Sequence, residues 1–259
     1  MARLRRAATS RAASRSVRRG RAGARTAPIA TKAVPLMLRR ALRLVAIAVL
    51  VLVAAALSLI LLYRWVDPPV TPLMLLRYPA AGRIDRVPMP LYAISRQLQY
   101  AVIASEDNRF CRHHGVDWGA VNDAVEEYDL EGRLRGASTI TMQLARNLFL
   151  WPGGGFFRKG IEVILALAID ALLPKRRILE IYLNVAEWGD GIYGAEAASR
   201  AHFRTSAARL SRRDAALLAA VLPSPRHWTP ARPSGYIAER ASAIDGRIGQ
   251  LQGYFDCLR

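Results

Sequence analysis

The sequence is poor in the residues that staple or ligate. Only Cys111 and Cys257 are present in 259 residues, too few for a disulfide-built scaffold. Nothing in the sequence brings them within the roughly 4.4–6.8 Å between Cα atoms that a bridge requires, so two free thiols are expected. The four histidines, His113, His114, His202 and His227, show no metal-ligand spacing with those cysteines, and no metal site is predicted. Alternating apolar and polar runs of useful length are also missing, which argues against a β fold. Acid is absent where base is densest. Residues 1–43 hold thirteen Lys and Arg and no Asp or Glu. Of the net charge of +18, that arm carries thirteen, leaving five for everything else.

The arm is Arg/Ala/Ser/Gly-rich and lacks the apolar content for a core, so disorder is expected over 1–43. Basic clusters also bind nucleic-acid phosphates, but no aromatic residue interleaves these arginines and no nucleic-acid partner is predicted. The next segment explains the charge better. Residues 44–63, LVAIAVLVLVAAALSLILLY, are twenty in a row without charge. At about 1.5 Å per residue they reach about 30 Å, the thickness of a bilayer's hydrocarbon core. The run exceeds the roughly 7–15 residues of a signal-peptide core, and no clear A-x-A site follows it. Arginines before the run place that side in the cytoplasm, with Tyr63 and Trp65 at the outer interface. A single-pass membrane protein is predicted, with everything after residue 65 outside the cytoplasm.

Residues 64–90 hold six prolines and read as a linker without regular helix. From residue 91 to 259 almost every segment has helical period. Helices are expected over 91–105, 118–128, 139–150 (capped by Ser138), 158–173, 175–188, 193–203, 211–222 and 236–252, with a capping box at Ser211 and Asp214. Val121, Val125 and Tyr128 would share the inner face of the second. The fold class expected is all-α on one hydrophobic core.

Within that pattern, the first helix delivers Glu106 and Asp107 at its C-terminal end, where the macrodipole disfavours negative charge. Breaks of a local rule often mark function. A carboxylate placed there suits a general base, although a solvated helix end followed by a polar turn would look the same. Further on, Thr139, Gln143, Arg146 and Asn147 fall on one helix face. Any amphipathic helix also shows such a polar stripe.

These residues gain weight as ordered motifs. Glu106-Asp107-x-x-Phe110-x-x-His113-x-Gly115 resembles the first signature of the peptidoglycan glycosyltransferases. That module occurs alone in monofunctional biosynthetic transglycosylases and fused to a transpeptidase in class A penicillin-binding proteins. Gly136-x-Ser138-Thr139-x-x-x-Gln143-x-x-Arg146-Asn147 resembles the second signature, and Arg158-Lys159-x-x-Glu162 the third. Lys175-x-x-Ile178-Leu179-x-x-Tyr182-Leu183-Asn184 resembles the fourth. Gly189-Asp190-Gly191 through Gly194, Glu196, Ala197 and Ala198 resemble the fifth. Five signatures in order cover residues 91 to about 225.

The resemblance implies a lysozyme-like helical fold and polymerisation of lipid II. The acceptor's 4-hydroxyl attacks the donor's anomeric carbon with inversion, and undecaprenyl diphosphate leaves. By position, Glu106 would be the general base and Glu162 a second catalytic carboxylate that orients cations or donor. Arg146, Arg158 and Lys159 would hold the diphosphate, and Ser138, Thr139, Gln143 and Asn147 would position sugar or phosphate oxygens. Asp107, Phe110 and His113 would shape the site. No cofactor is required, while a divalent cation (Mg or Mn) is compatible with the diphosphate. Implied partners are lipid II, the growing glycan strand and the membrane; cell-wall synthesis or division proteins are compatible with the role. The implied location is the cell inner membrane with the catalytic domain in the periplasm. No S-x-x-K or K-T-G appears, so a monofunctional enzyme is expected.

One position departs from the pattern. Related sequences usually carry an arginine where this one has Gly154, so Gly154→Arg is expected to preserve or raise activity, with Arg133 or Arg135 as alternative sources of charge. A lytic transglycosylase would share fold and lone Glu but need no cationic cluster, and a non-catalytic membrane scaffold would need neither.

Overall fold

A computed structural model describes residues 36–131, 136–251, 253 and 255–258, with side chains described outside 128–131. Most of the predicted arm, Arg133 and Arg135 lie outside the described residues, as does the side chain of Tyr128. The chain divides into two compact units, Met1–Ile47 and Ala48–Arg259; apart from residues 36–47, all that follows lies in the second.

Helix α1, Leu36–Leu62, is long and apolar enough to cross a membrane, and it is almost wholly exposed. It starts eight residues before the uncharged run and so includes Arg39, Arg40 and Arg43. The stretch after it is not the helix-free linker expected. α2 spans Pro72–Ala81 because its prolines sit where a helix accepts them. Pro72 opens the first turn, where its missing N–H has no partner to lose, and Pro79 falls in the last. The Thr71 hydroxyl caps the start, accepting from Met74 N at 3.3 Å, and Gly82 in the left-handed region closes the end.

Among the described residues eight further α-helices follow: α3 Arg96–Glu106, α4 Trp118–Glu131, α5 Ile140–Phe149, α6 Gly155–Leu172, α7 Lys175–Val185, α8 Ala195–Phe203, α9 Arg212–Val221 and α10 Gly235–Gln250. The predicted periodicity locates them to within a few residues. Three details differ. Leu91–Ala93 is a separate 3₁₀ turn before α3. Val125 on α4 is exposed rather than inward. Thr139, not Ser138, caps α5. At α9 the Ser211 hydroxyl accepts from Asp214 N at 3.1 Å and itself donates to the Asp214 carboxylate at 2.6 Å. The reciprocal bond of a full capping box is replaced by that side-chain contact.

A small sheet was also unforeseen. Strands β1 (Asp85–Arg86), β2 (Glu187–Gly189) and β3 (Ile192–Tyr193) align in the order β1-β3-β2, parallel then antiparallel. Two or three residues per strand give no alternation to detect.

One core runs through the second unit. α9 packs between α3 and α10, while α5 packs on α6 and α7. Trp188, Tyr182, Tyr193 and Phe110 are its largest fully buried side chains. Cys111 and Cys257 are not free: they form a disulfide with Cα atoms 5.4 Å apart. Their separation of 146 residues carries no local signal, and only the packed fold brings them together. Arg112 donates to Gly253 O at 3.4 Å, and Phe255 stacks on Tyr100 at 4.2 Å, so the same join is held at three points.

Candidate active site

Glu106 is the last residue of α3, as the sequence predicts, and its side chain is 11% exposed. Both oxygens have partners. Oε1 accepts from Ser105 Oγ at 3.0 Å, and Oε2 accepts from Gln143 Nε2 at 2.9 Å. Arg240 Nη2 of α10 stands 3.9 Å from Oε1. Gln143 is fixed in turn by Tyr182, whose hydroxyl donates to Gln143 Oε1 at 2.9 Å. Burial, and then the charge of Glu106, push the Tyr182 phenol well above its ordinary pKa, so it remains a donor. A chain of Tyr182, Gln143 and Glu106 thus orients the carboxylate at the helix end that disfavours it.

The neighbouring signature residues build the frame. Asp107 accepts from the backbone N–H of Ile140 at 2.9 Å and sits 3.0 Å from His113 Nε2, all buried. Thr139 caps α5 through Met142 N and donates to Gly115 O at 2.6 Å. Gly115 itself has φ +81°, and a Cβ there would stand 2.6 Å from Ala166 O, so only glycine fits. Phe110 is fully buried, with Lys175 Nζ 4.7 Å from its ring centre. Asp107, Phe110, His113 and Thr139 therefore hold the loop after α3 against α5 and α6.

The third signature opens α6. Arg158 Nη1 donates to Glu162 Oε1, and Lys159 Nζ reaches Glu162 Oε2 at 2.9 Å and Ser138 Oγ at 2.5 Å. Glu162 is 2% exposed, so its charge depends on these two cations.

Two clefts collect the predicted residues. One, of about 600 Å³, is lined by Glu106, Asp107, Ser138, Thr139 and Gln143, with Arg240 and Arg247 from α10. The other, of about 300 Å³, is lined by Gln143, Arg146, Asn147 and Arg158. Gln143 and Pro223 border both. Phe110, His113, Lys159 and Glu162 border neither. Sequence reasoning missed Ser105, Tyr182 and Arg240. Tyr182 stood in a signature read as packing, whereas Arg240 lies beyond residue 225, where no motif pointed to it.

The likenesses to known proteins run over the same residues. A family model described as transglycosylase matches residues 76–248. The chain belongs to the transglycosylase family. Among its relatives, a biosynthetic peptidoglycan transglycosylase of Rhodospirillum centenum is 56% identical over 83% of this chain and 92% of its own length. Another so named, from Pseudomonas putida, is 46% identical over 84% and 94%. One from Caulobacter vibrioides is 43% identical over 85% and 97%.

For this transglycosylase the expectation at Gly154 is reversed. Gly154 has φ +97°, and a Cβ there would lie 3.0 Å from Arg158 Cβ and 3.1 Å from its Cδ. An arginine at 154 would strain the backbone and push aside the cation it was meant to join.

Proposed function

We propose that this transglycosylase polymerises lipid II, with Glu106 as general base and the cationic cleft as the seat of the departing diphosphate. It is a peptidoglycan glycosyltransferase of cell-wall biosynthesis. The observation that carries the residue assignment is Gln143, which binds Glu106 and borders both clefts. Base and cations thereby meet at one side chain.

In the proposed reaction Glu106 takes the proton of the acceptor's 4-hydroxyl, an effect worth about 10²–10⁴-fold. The oxygen bonds to the donor's anomeric carbon from the opposite face as the bond to the diphosphate oxygen breaks. Arg146 and Arg158 stabilise the charge on the leaving group. Glu162 holds Arg158 and Lys159 in place, and Asn147 and Ser138 position oxygens at the cleft edges. Among the described residues no three His, Cys, Asp or Glu side chains gather as a metal cage. A divalent ion is compatible with the diphosphate.

The membrane reading rests on α1 and its preceding arginines. We place residues 1–43 in the cytoplasm and the catalytic domain in the periplasm, held at the inner membrane where a polyprenyl substrate resides. Cell-wall synthesis and division proteins are the partners such a location offers.

Incubating the purified full-length protein with lipid II tests the reading. Glycan polymer and free undecaprenyl diphosphate are expected. Cleavage of preformed glycan instead would establish a lytic enzyme, and absence of turnover by folded protein would leave a scaffold.

A further inference from the structure

The 300 Å³ cleft has more positive charge than the signatures account for. Besides Arg146 and Arg158 it is lined by Arg77 of α2, by Arg226 and His227 in the turn after α9, and by Glu187 of β2. Four guanidinium groups in one small cleft repel each other. Elsewhere this chain closes such charges into pairs: Arg200 with Glu196 at 2.7 Å, Arg177 with Asp67 at 2.8 Å, Arg109 with Asp117 at 3.2 Å. Among the described residues, only Arg158 of these four arginines is paired, through Glu162.

Among the described residues the side chains of Arg77, Arg146 and Arg226 have no hydrogen-bond or ion-pair partner, and the Nε of Arg77 is buried without an acceptor. Glu187 mirrors them. Its Oε1 is buried without a donor. Burial, with the charge of Asp190, pushes its carboxyl above the ordinary value, and the charges of Arg77 and Arg226 and a backbone hydrogen bond from Gly191 pull it back down. These groups sense one another yet do not close into salt bridges. The turn carrying Arg226 is ordered, with Ser224 Oγ 3.2 Å from His227 Nδ1 and His227 N bonded to Ser224 O. Such a set of donors is short of a polyvalent anion rather than of a protein acceptor.

We infer that Arg77 and Arg226 are phosphate-holding residues that share a diphosphate ester with Arg146 and Arg158, and that Glu187 is the internal counter-charge against which that ester competes. The inference rests on the cleft being the diphosphate seat. It adds a second source of cations, from α2 and the turn after α9, which none of the five signatures contains. Each guanidinium offers up to five donors in a planar fork suited to two phosphate oxygens.

The test uses full-length protein in detergent with inorganic diphosphate as probe, followed by calorimetry, and lipid II turnover as a second readout. Arg77→Ala and Arg226→Ala are each expected to weaken diphosphate binding about tenfold. They should raise KM for lipid II more than they lower kcat, and Arg226→Lys should recover part of the loss. Glu187→Gln should tighten diphosphate binding several-fold, a change of sign that a purely structural cluster would not produce.

Unaltered binding in folded Arg77→Ala and Arg226→Ala, or no tightening in Glu187→Gln, would overturn the inference. So would loss of folding in either alanine variant, which would mean the arginines serve to neutralise Glu187. Arg146→Ala separates the two levels. If it weakens binding while the other two do not, only the second set of cations is wrong. If none of the three matters, or the wild type ignores diphosphate, the cleft is not the diphosphate seat.

Discussion

The two clefts that meet at Gln143 are built on opposite plans. Around Glu106 the carboxylate and its supports are engaged: Ser105 and Gln143 hold the carboxylate, Tyr182 holds Gln143, and Asp107 joins His113 to the start of α5. Around Arg146, among the described residues, the cations other than Arg158 stand without side-chain acceptors. In the proposed reaction the difference follows from what each side would have to do. A base must already point along one line when a hydroxyl arrives, so its orientation has to be supplied by the fold. A leaving group brings its own charge, so its seat is best left with unspent donors. Tight bonding marks the reacting atom, and open bonding marks the ligand.

Glu106→Gln probes the engaged side most sharply. It keeps the shape and most of the hydrogen bonds, so the thermal midpoint should move by no more than about 2 °C. Polymer formation from lipid II should fall about 10²–10⁴-fold, while binding of lipid II survives. Full activity in the folded variant would remove the distinction between the two clefts.

The frame behind Glu106 can be loosened without touching the cleft. Cys257→Ser removes the bridge to Cys111 in the loop that follows Asp107. Chemical denaturation should show a loss of about 2–5 kcal/mol. An unchanged unfolding curve would mean that Arg112 and the Phe255–Tyr100 stack suffice.

On the open side Arg158 is the exception, being paired. Arg158→Ala should cut polymerisation and also cost about 3 kcal/mol of stability, because Glu162 keeps only Lys159 as counter-charge. The double variant Arg158→Ala, Glu162→Gln should regain much of that stability, read from denaturant midpoints, without regaining activity. Recovery of both together would show that Arg158 acts only through folding.

The smallest effect is expected at Gly154. Gly154→Arg should destabilise the protein by about 1–3 kcal/mol and lower polymerisation as Arg158 is displaced. Rising activity in a melting-curve-neutral variant would show that the open cleft absorbs charge from any direction.

What the sequence makes legible follows the range of each interaction. Helix positions come from local periodicity, and Glu106, Gln143, Arg146, Arg158 and Glu162 come from contiguous motifs. Contacts between distant segments were not legible. Tyr182 lies 39 residues from the Gln143 it holds, and Cys111 lies 146 residues from Cys257. Arg77 sits on α2, a helix hidden by two prolines tolerated at its ends. Thr139 and Asp107 were visible as motif members, but their bonds to Gly115 and Ile140, made across the fold, show them to be fasteners.

The stretch after α1 carries one further consequence. Arg177 Nε donates to Tyr63 O at 2.7 Å and its Nη1 reaches Asp67 at 2.8 Å, while Arg64 Nη1 donates to Leu172 O at 3.0 Å and Ile60 is buried in the core. This is a bracket and not a tether. In the proposed membrane placement this bracket would keep the catalytic domain close against the lipid surface, so a substrate anchored there would reach Glu106 by moving in the plane.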